Sequence, residues 1–243
     1  DGLNVISYQW KRSGEAIVGA TATSYTLTQS DVGSTITVTA SYTDQFSTDE
    51  NATSAATATV ANVNDAPTGA ITMSGTAQED VTLIVSNNLG DEDGLGVISY
   101  QWKRNGVLIP NATGTTYTLT QADVGSTMTV TASYTDQLNT DENVSSAATA
   151  VVANTNDLPT GLVTISGTAQ EDETLTVSNN LGDEDGLGVI SYQWKRGGEL
   201  IGGATGTSYT LVQSDVGSNI TVTASYTDQF STDENVTSAA TTA

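Results

Sequence analysis

One motif recurs three times at a fixed interval, and this repeat constrains the fold more than any other feature of the chain. Tyr8-Gln9-Trp10-Lys11-Arg12 returns around Trp102 and again around Trp194, with a constant period of 92 residues. The two Asn-Asp-x-Pro segments, at Asp65 and Asp157, keep the same interval. Such a period is too long for a solenoid unit and fits one independent β-sandwich domain. The sequence therefore predicts tandem domains over residues 1–63, 64–155 and 156–243.

Within a repeat, the residues are typical of β-strands separated by frequent turns. Thr, Val, Ile and Tyr dominate, and no helical periodicity is present. One predicted core face carries Ile98, Tyr100 and Trp102, because side chains of a strand alternate with a period of two. The facing set is Met128, Val130, Ala132 and Tyr134. For the second repeat we predict strands near Ala70–Ser74, Val81–Ser86, Val97–Arg104, Val107–Ile109, Thr116–Thr120, Thr127–Thr135 and Ser145–Ala153.

Composition excludes several classes of function. The chain has no histidine and no cysteine, so the usual general base, the thiol nucleophile, disulfides and the commonest zinc ligands are all absent. Its 28 acidic residues against 6 basic ones give a net charge of -22, which repels nucleic acid and anionic lipid and favours a cation as partner. No apolar run is long enough for a spanning helix, and no signal peptide is visible, so we expect export and anchoring signals to lie outside this sequence.

All six basic residues form the three Lys-Arg pairs that follow the tryptophans. We interpret these pairs as solvent-facing strand ends beside acidic loops, with a ligand-binding basic pair as the alternative. A further expectation concerns the first repeat, where Asp1 aligns with Asp93. That repeat lacks the counterpart of residues 70–91, which predicts an open sheet edge and core unless strands of another copy of the chain cover them.

The order of motifs resembles the immunoglobulin superfamily. A strand-C tryptophan is followed by Tyr117-Thr118-Leu119 and then by Asp123-Val124-Gly125, which is similar to the corner between strands E and F. Thr131-Ala132-Ser133 stands where an antibody-type domain carries its second cysteine. The repeat as a whole is similar to the bacterial immunoglobulin-like and cadherin-like modules of giant surface adhesins, including the RTX-type extender modules. This resemblance implies an all-β rod of immunoglobulin-like sandwiches on a bacterial cell surface.

The resemblance also implies where the acidic residues meet. In an immunoglobulin sandwich, the loops B–C and F–G lie at the end where the chain enters, and the loops A–B and E–F lie at the other end. The first junction then gathers Asn64, Asp65, Asp91, Glu92, Asp93, Asp136, Asp141 and Glu142 with Asp31 from the first repeat. The second junction gathers Asn154, Asn156, Asp157, Asp183, Glu184, Asp185, Asp228, Asp233 and Glu234 with Glu79, Asp80 and Asp123 from the second repeat.

Cadherins hold calcium between domains with a linker Asn-Asp pair and an Asp-x-Asp loop. The Asn64-Asp65 linker matches this arrangement in part, and the Asp-x-Asp loops at Asp91 and Asp183 match it. Calcium accepts six to eight oxygen ligands with tolerant geometry, which suits carboxylates on loops. The resemblance therefore implies calcium sites at the junctions, whereas the alternative is that acidic loops only keep the protein soluble.

Two classes of function remain open from the sequence. The first is a structural extender, stiffened by calcium, that carries a distal adhesive domain or builds a filament or biofilm matrix. The second is a repeated module that itself binds a carbohydrate or protein through its loops. Near-identical loops favour the extender: Asp44-Gln45-Phe46-Ser47 and Asp136-Gln137-Leu138-Asn139 differ little. Because every repeat carries the same acidic pairs, we predict no enzyme.

Overall fold

The computed structural model describes residues 5–242, and this part of the chain is all-β apart from three single-turn 3-10 helices. The first repeat contains β1 Ser7–Arg12, β2 Glu15–Ala16, β3 Ile36–Thr43 and β4 Asp49–Thr53. The second contains β5 Ile71–Ser74, β6 Thr82–Asn87, β7 Ser99–Arg104, β8 Val107–Leu108, β9 Thr116–Thr118, β10 Met128–Thr135 and β11 Asp141–Ser145. The third contains β12 Val163–Ser166, β13 Thr174–Asn179, β14 Ser191–Arg196, β15 Glu199–Leu200, β16 Ser208–Thr210, β17 Ile220–Thr227 and β18 Asp233–Thr237. No helix among the described residues has the length and apolar character needed to cross a membrane.

The second and third repeats each form two antiparallel sheets with immunoglobulin-like topology. In the second repeat the orders are β5-β6-β9 and β11-β10-β7-β8, and in the third they are β12-β13-β16 and β15-β14-β17-β18. These correspond to strands A, B and E facing strands G, F, C and C′. Each sheet draws its strands from a single repeat, which accords with the 92-residue period.

The predicted alternation of core residues is confirmed in the second repeat. Trp102 is fully buried opposite Val130, and its ring stacks on Tyr117 at 5.5 Å between centroids. The indole nitrogen donates to the carbonyl of Gly114 at 2.9 Å, so the one polar atom of this side chain is satisfied. Met128, Val130, Ala132 and Tyr134 are all buried on β10. The expectation that this set faces the Trp102 set from the opposite half of the sandwich was wrong, because β10 and β7 pair in the same sheet and both sets lie on its inner side. The third repeat forms an equivalent core around Trp194.

The first repeat has one sheet among its described residues, with order β2-β1-β3-β4. Trp10 is consequently only partly buried, whereas Trp102 and Trp194 are 0% exposed. Asp1, which set the alignment of this repeat, lies outside the described residues. That strands of another copy cover the open face of this sheet stays a prediction.

The prediction of a strand over Ser145–Ala153 was wrong. The strand is β11, Asp141–Ser145, and it pairs with residues 131–135 of β10. Asp, Glu and Asn have low β-propensity, so the sequence pattern did not predict strand β11. A tight turn after β10 brings these residues into register. Beyond Ser145, every third backbone N–H still donates a hydrogen bond to a backbone carbonyl, at Ser146, Thr149 and Val152. Ala153 forms an isolated parallel bridge to Gln78.

Candidate metal centre

A buried aspartate fixes each junction between repeats. Asp185 is 1% exposed; one of its oxygens accepts the backbone N–H of Asp157 at 2.8 Å, and the other accepts the side-chain amide of Gln121 at 3.1 Å. Asp93 accepts equivalent bonds from Asp65 at 2.9 Å and Gln29 at 2.6 Å. Each aspartate thus ties the linker before its own domain to the E–F end of the preceding repeat.

The first aspartate of each Asp-x-Asp motif shapes the B–C loop. Asp183 accepts the N–H of Asp185 at 2.9 Å with one oxygen and the hydroxyl of Tyr226 with the other. Asp91 makes the same pair of contacts with Asp93 and Tyr134. Burial, followed by the bond to the aspartate, raises the pKa of both tyrosines, so their hydroxyls stay protonated donors.

The F–G loops place a half-satisfied carboxylate at each junction. Asp228 is 7% exposed; its Oδ1 accepts the N–H groups of Phe230 and Thr232 at 2.8 Å, and its Oδ2 is buried without a hydrogen-bond partner. Asp136, 5% exposed, repeats this arrangement at the first junction. The linker amide oxygen of Asn154 is likewise buried and unpartnered. Because a buried polar oxygen without a donor is costly, these atoms are suited to a cation.

Three acids from two repeats converge at the second junction. One carboxylate oxygen each from Glu79, Asp157 and Glu184 lies within 4.8 Å of the others. Glu79, the acid of the second repeat, is only 3% exposed. The linker covers it, and the N–H of Thr155 donates to its carboxylate at 3.3 Å. This is the one such group of three found among residues 5–242.

The electrostatics of this group oppose full ionisation. Burial, and then the charges of Asp157, Asp80 and Asp185, raise the pKa of Glu79. Burial and the nearby charges of Asp185, Asp80 and Asp183 raise the pKa of Asp157 in the same way. A divalent cation would reverse both effects, because it replaces like-charge repulsion by attraction. Carboxylate and amide oxygens on loops are the donor set that calcium accepts, so the residues present fit this ion.

The linker asparagines are placed beside strand G rather than within the acidic group. Asn64 donates to the carboxylate of Glu142 at 2.7 Å, and Asn156 donates to that of Glu234 at 2.8 Å. These contacts hold the linker against the four-stranded sheet. The structure therefore brings most of the predicted ligands to the junctions, while their role in metal binding stays a prediction.

Two predicted ligands, Asp31 and Asp123, have a different environment. Both are 0% exposed, and Asp31 accepts Arg12 at 2.8 Å while Asp123 accepts Arg104 at 2.7 Å. Burial acts to raise the pKa of Asp31, but bonds from the Thr28 backbone, Arg12 and Tyr25 outweigh it and lower the pKa. Since their oxygens are occupied by donors of their own repeat, we leave both aspartates out of the proposed metal site.

These ion pairs also correct the interpretation of the basic residues. The arginines are about one-third exposed, and each binds a buried aspartate at the E–F corner instead of only facing solvent. The third pair, between Arg196 and Asp215, completes the set. The constant separation of 19 residues between Arg and Asp in all three repeats was the signal that could have revealed them.

Comparison with known proteins assigns no family, since no family model and no curated protein matches the chain. Among solved structures, a Ca2+-stabilized adhesin that helps an Antarctic bacterium reach out and bind ice is 13% identical, with a TM-score of 0.32, and covers 97% of this chain and 64% of its own. A tetra-tandem repeat in the extending region of a large adhesion protein is 21% identical, with a TM-score of 0.30 and coverages of 97% and 66%. Immunoglobulin domains 1–4 of Sidekick-1 are 14% identical, with a TM-score of 0.30 and coverages of 96% and 66%.

The chain thus spans slightly less than two thirds of each of these structures. TM-scores of about 0.3 are too low to assign a family or a function to this chain. The all-β, immunoglobulin-like assignment rests instead on the strand order and the two sandwich cores described above.

Proposed function

We propose that this chain is part of the extender region of a bacterial cell-surface adhesin, in which calcium at the domain junctions stiffens an extracellular rod. The observation that carries the proposal is the group Glu79, Asp157 and Glu184, because it joins two repeats through acids that repel one another. With a cation, the same acids become bonds across the junction. Without one, their repulsion favours separation of the repeats.

The buried oxygens of Asp228 and Asn154 support the proposal independently of the acidic group. Neither oxygen has a hydrogen-bond donor, although each is shielded from water. Calcium takes six to eight oxygen ligands, and buried carboxylate and amide oxygens without a donor are of the type that it accepts. Asp80 and Asp185 add negative charge next to the site.

The uniformity of the repeats supports an extender over a specialised binding module. The Asp–Gln bond between repeats and the Asn–Glu bond of the linker recur with the same partners at both junctions. An extender needs this sameness, since each added unit must continue the direction of the last. A loop that recognises a ligand has no such requirement.

The test is a calcium titration of the chain, with binding measured by calorimetry and dimensions by small-angle X-ray scattering. We expect tight binding and a longer maximum dimension in calcium than in chelator. Glu79→Gln should weaken binding, whereas Glu171→Gln, at the same position of the third repeat but exposed, should leave it unchanged. Unchanged dimensions and no heat of binding in the unsubstituted chain would refute the proposal.

A further inference from the structure

One edge of the four-stranded sheet differs between the repeats at a single position. At this edge the sheets end with β2, β8 and β15, two-residue strands that pair only with the strand before them. β2 and β15 begin with Glu15 and Glu199, whereas β8 begins with Val107. An exposed sheet edge is a template for pairing with another chain, and a charged side chain on it is a common protection. The second repeat lacks this charge.

Leu108 presents its backbone to this edge. Arg104 and Val107 flank a two-residue turn, and in such a hairpin the flanking pair exchanges both of its hydrogen bonds. The bond from the N–H of Ile109 to the carbonyl of Trp102, at 3.0 Å, marks the next bonded position. The N–H and carbonyl of Leu108, which lies between these positions, are therefore directed away from β7 and toward the end of the sheet.

Apolar side chains surround these backbone groups. Val107 and Leu108 are both exposed, and Ile109 and Pro110 follow them. Two copies of β8 that pair antiparallel about a two-fold axis at Leu108 place Val107 of each copy opposite Ile109 of the other. The same pairing of β2 or β15 would set a glutamate against an isoleucine, where a carboxylate loses water without gaining a partner. Pro110 has no N–H to extend the ladder, so the paired segment stays short.

The surroundings of β8 allow two highly acidic chains to approach each other. Residues 94–122 contain Lys103 and Arg104 and no acidic residue, whereas the equivalent stretches of the first and third repeats each contain a glutamate. Arg104 is neutralised by Asp123. The two copies of Lys103 lie three strand spacings apart, or about 14 Å, which exceeds the screening length of about 8 Å at physiological ionic strength. Repulsion between chains is therefore weaker at this edge than at the other two.

We propose that the β8 edge of the second repeat is a contact between two copies of this chain, which join their four-stranded sheets into one antiparallel sheet. The backbone bonds between the two copies of Leu108 form its centre, and Val107 and Ile109 cover them. A contact of this size belongs to the weak, transient class, which buries less than about 1,200 Å². The inference adds lateral association to the proposed extender and does not depend on calcium.

The experiment marks the contact with a single cysteine, since the chain has none of its own. The whole chain carrying Leu108→Cys is oxidised mildly in chelator, and the disulfide-linked dimer is measured by non-reducing electrophoresis. Residues opposite each other in a bonded antiparallel pair have Cα atoms about 5.5 Å apart, which a disulfide spans. The matched control is Leu200→Cys, which is similarly exposed but stands beside Glu199. We expect the dimer to form several-fold faster in Leu108→Cys.

Two further substitutions test the role of the edge charge. Val107→Glu combined with Leu108→Cys should lower the rate to that of Leu200→Cys. Val97→Glu, which adds the same charge at an exposed valine before β7, should leave the rate of Leu108→Cys unchanged. In sedimentation velocity, the apparent mass of the unsubstituted chain should rise with concentration, and Val107→Glu should remove this rise. Equal rates in Leu108→Cys and Leu200→Cys would overturn the proposal, as would an unsubstituted chain that stays monomeric at every concentration.

Discussion

The two junctions of this chain share the same docking contacts. Asp93 and Asp185 accept the same bonds from the linker amide and from a glutamine of the preceding repeat. At the second junction the preceding repeat also supplies Glu79 beside the linker aspartate; the position equivalent to Glu79 at the first junction would fall before residue 1 of this sequence. The comparison separates two parts of a junction: the aspartate docks the repeats, and the glutamate completes the acidic group that we propose to hold a cation.

The largest effect is expected when the docking aspartate is removed. Asp185→Ala takes the acceptor from two donors, Asp157 and Gln121, and should cost about 3–6 kcal/mol of stability, since bonds to charged groups contribute about 1.5–3 kcal/mol each. Asp93→Ala should cost the same in chelator. Chemical denaturation followed by tryptophan fluorescence measures both losses. The exposed Glu199→Ala, outside the acidic group, is the control; unequal losses for the two aspartates would show that the junctions dock differently.

A smaller effect, confined to one junction, is expected for the linker aspartates. Asp157→Asn keeps the backbone N–H that docks the linker and removes a carboxylate from the acidic group. We expect calcium affinity to fall about tenfold, or about 1.4 kcal/mol. Asp65→Asn is the matched change at the first junction and should leave the tight binding phase unchanged in calorimetry. An equal fall for both would mean that the first junction binds calcium without a third acid.

Acidification should affect the second junction through Glu79. Its raised pKa in the folded state means that protonation stabilises this state, and the stabilisation is lost as pH rises from the ordinary value of 4.5 through the raised pKa. In chelator, lowering the pH from 7 toward 5 should therefore raise the protection factor of the Asp157 amide, which is its exchange rate corrected for the intrinsic pH dependence of exchange. In calcium, the same change should weaken binding, because protons compete with the ion. Glu79→Gln should reduce both responses; an unaltered pH profile would contradict this assignment.

The smallest effect is expected for the two glutamines that complete the docking. Gln29→Ala and Gln121→Ala each remove one side-chain bond to a buried aspartate, at a cost of about 1–2 kcal/mol. Hydrogen exchange of the Asp65 and Asp157 amides should report equal local losses. If only one variant responds, the similarity of the two docking contacts is geometric and not energetic.

The sequence predicted the features that follow from local pattern and from the repeat. Ile98, Tyr100 and Trp102 alternate as a half-buried strand must, and the 92-residue period delimits each pair of sheets. The loops that carry Asp91 and Asp183 were placed by the resemblance to immunoglobulin domains. These predictions needed no knowledge of tertiary contacts.

The remaining features depend on partners that are distant in sequence. Asp123 and Asp93 are both aspartates, yet the carboxylate of Asp123 accepts hydrogen bonds from Arg104 and Tyr117. Only the fold reveals these contacts. The acid-rich β11 forms because β10 presents an unpaired edge to it, which outweighs its low β-propensity. Glu79 becomes buried only because the linker crosses it.

The distribution of basic residues in the strands has a consequence for proteolysis. Every lysine and arginine of the chain lies at the end of β1, β7 or β14, the strands that pair on both sides within their sheets. A protease of trypsin specificity must bind an extended, unpaired segment around one of these residues. The folded repeats offer it none, so cleavage requires the sheet to open first. A chain of this composition, exposed to secreted proteases, would be protected by the placement of its six cleavable residues.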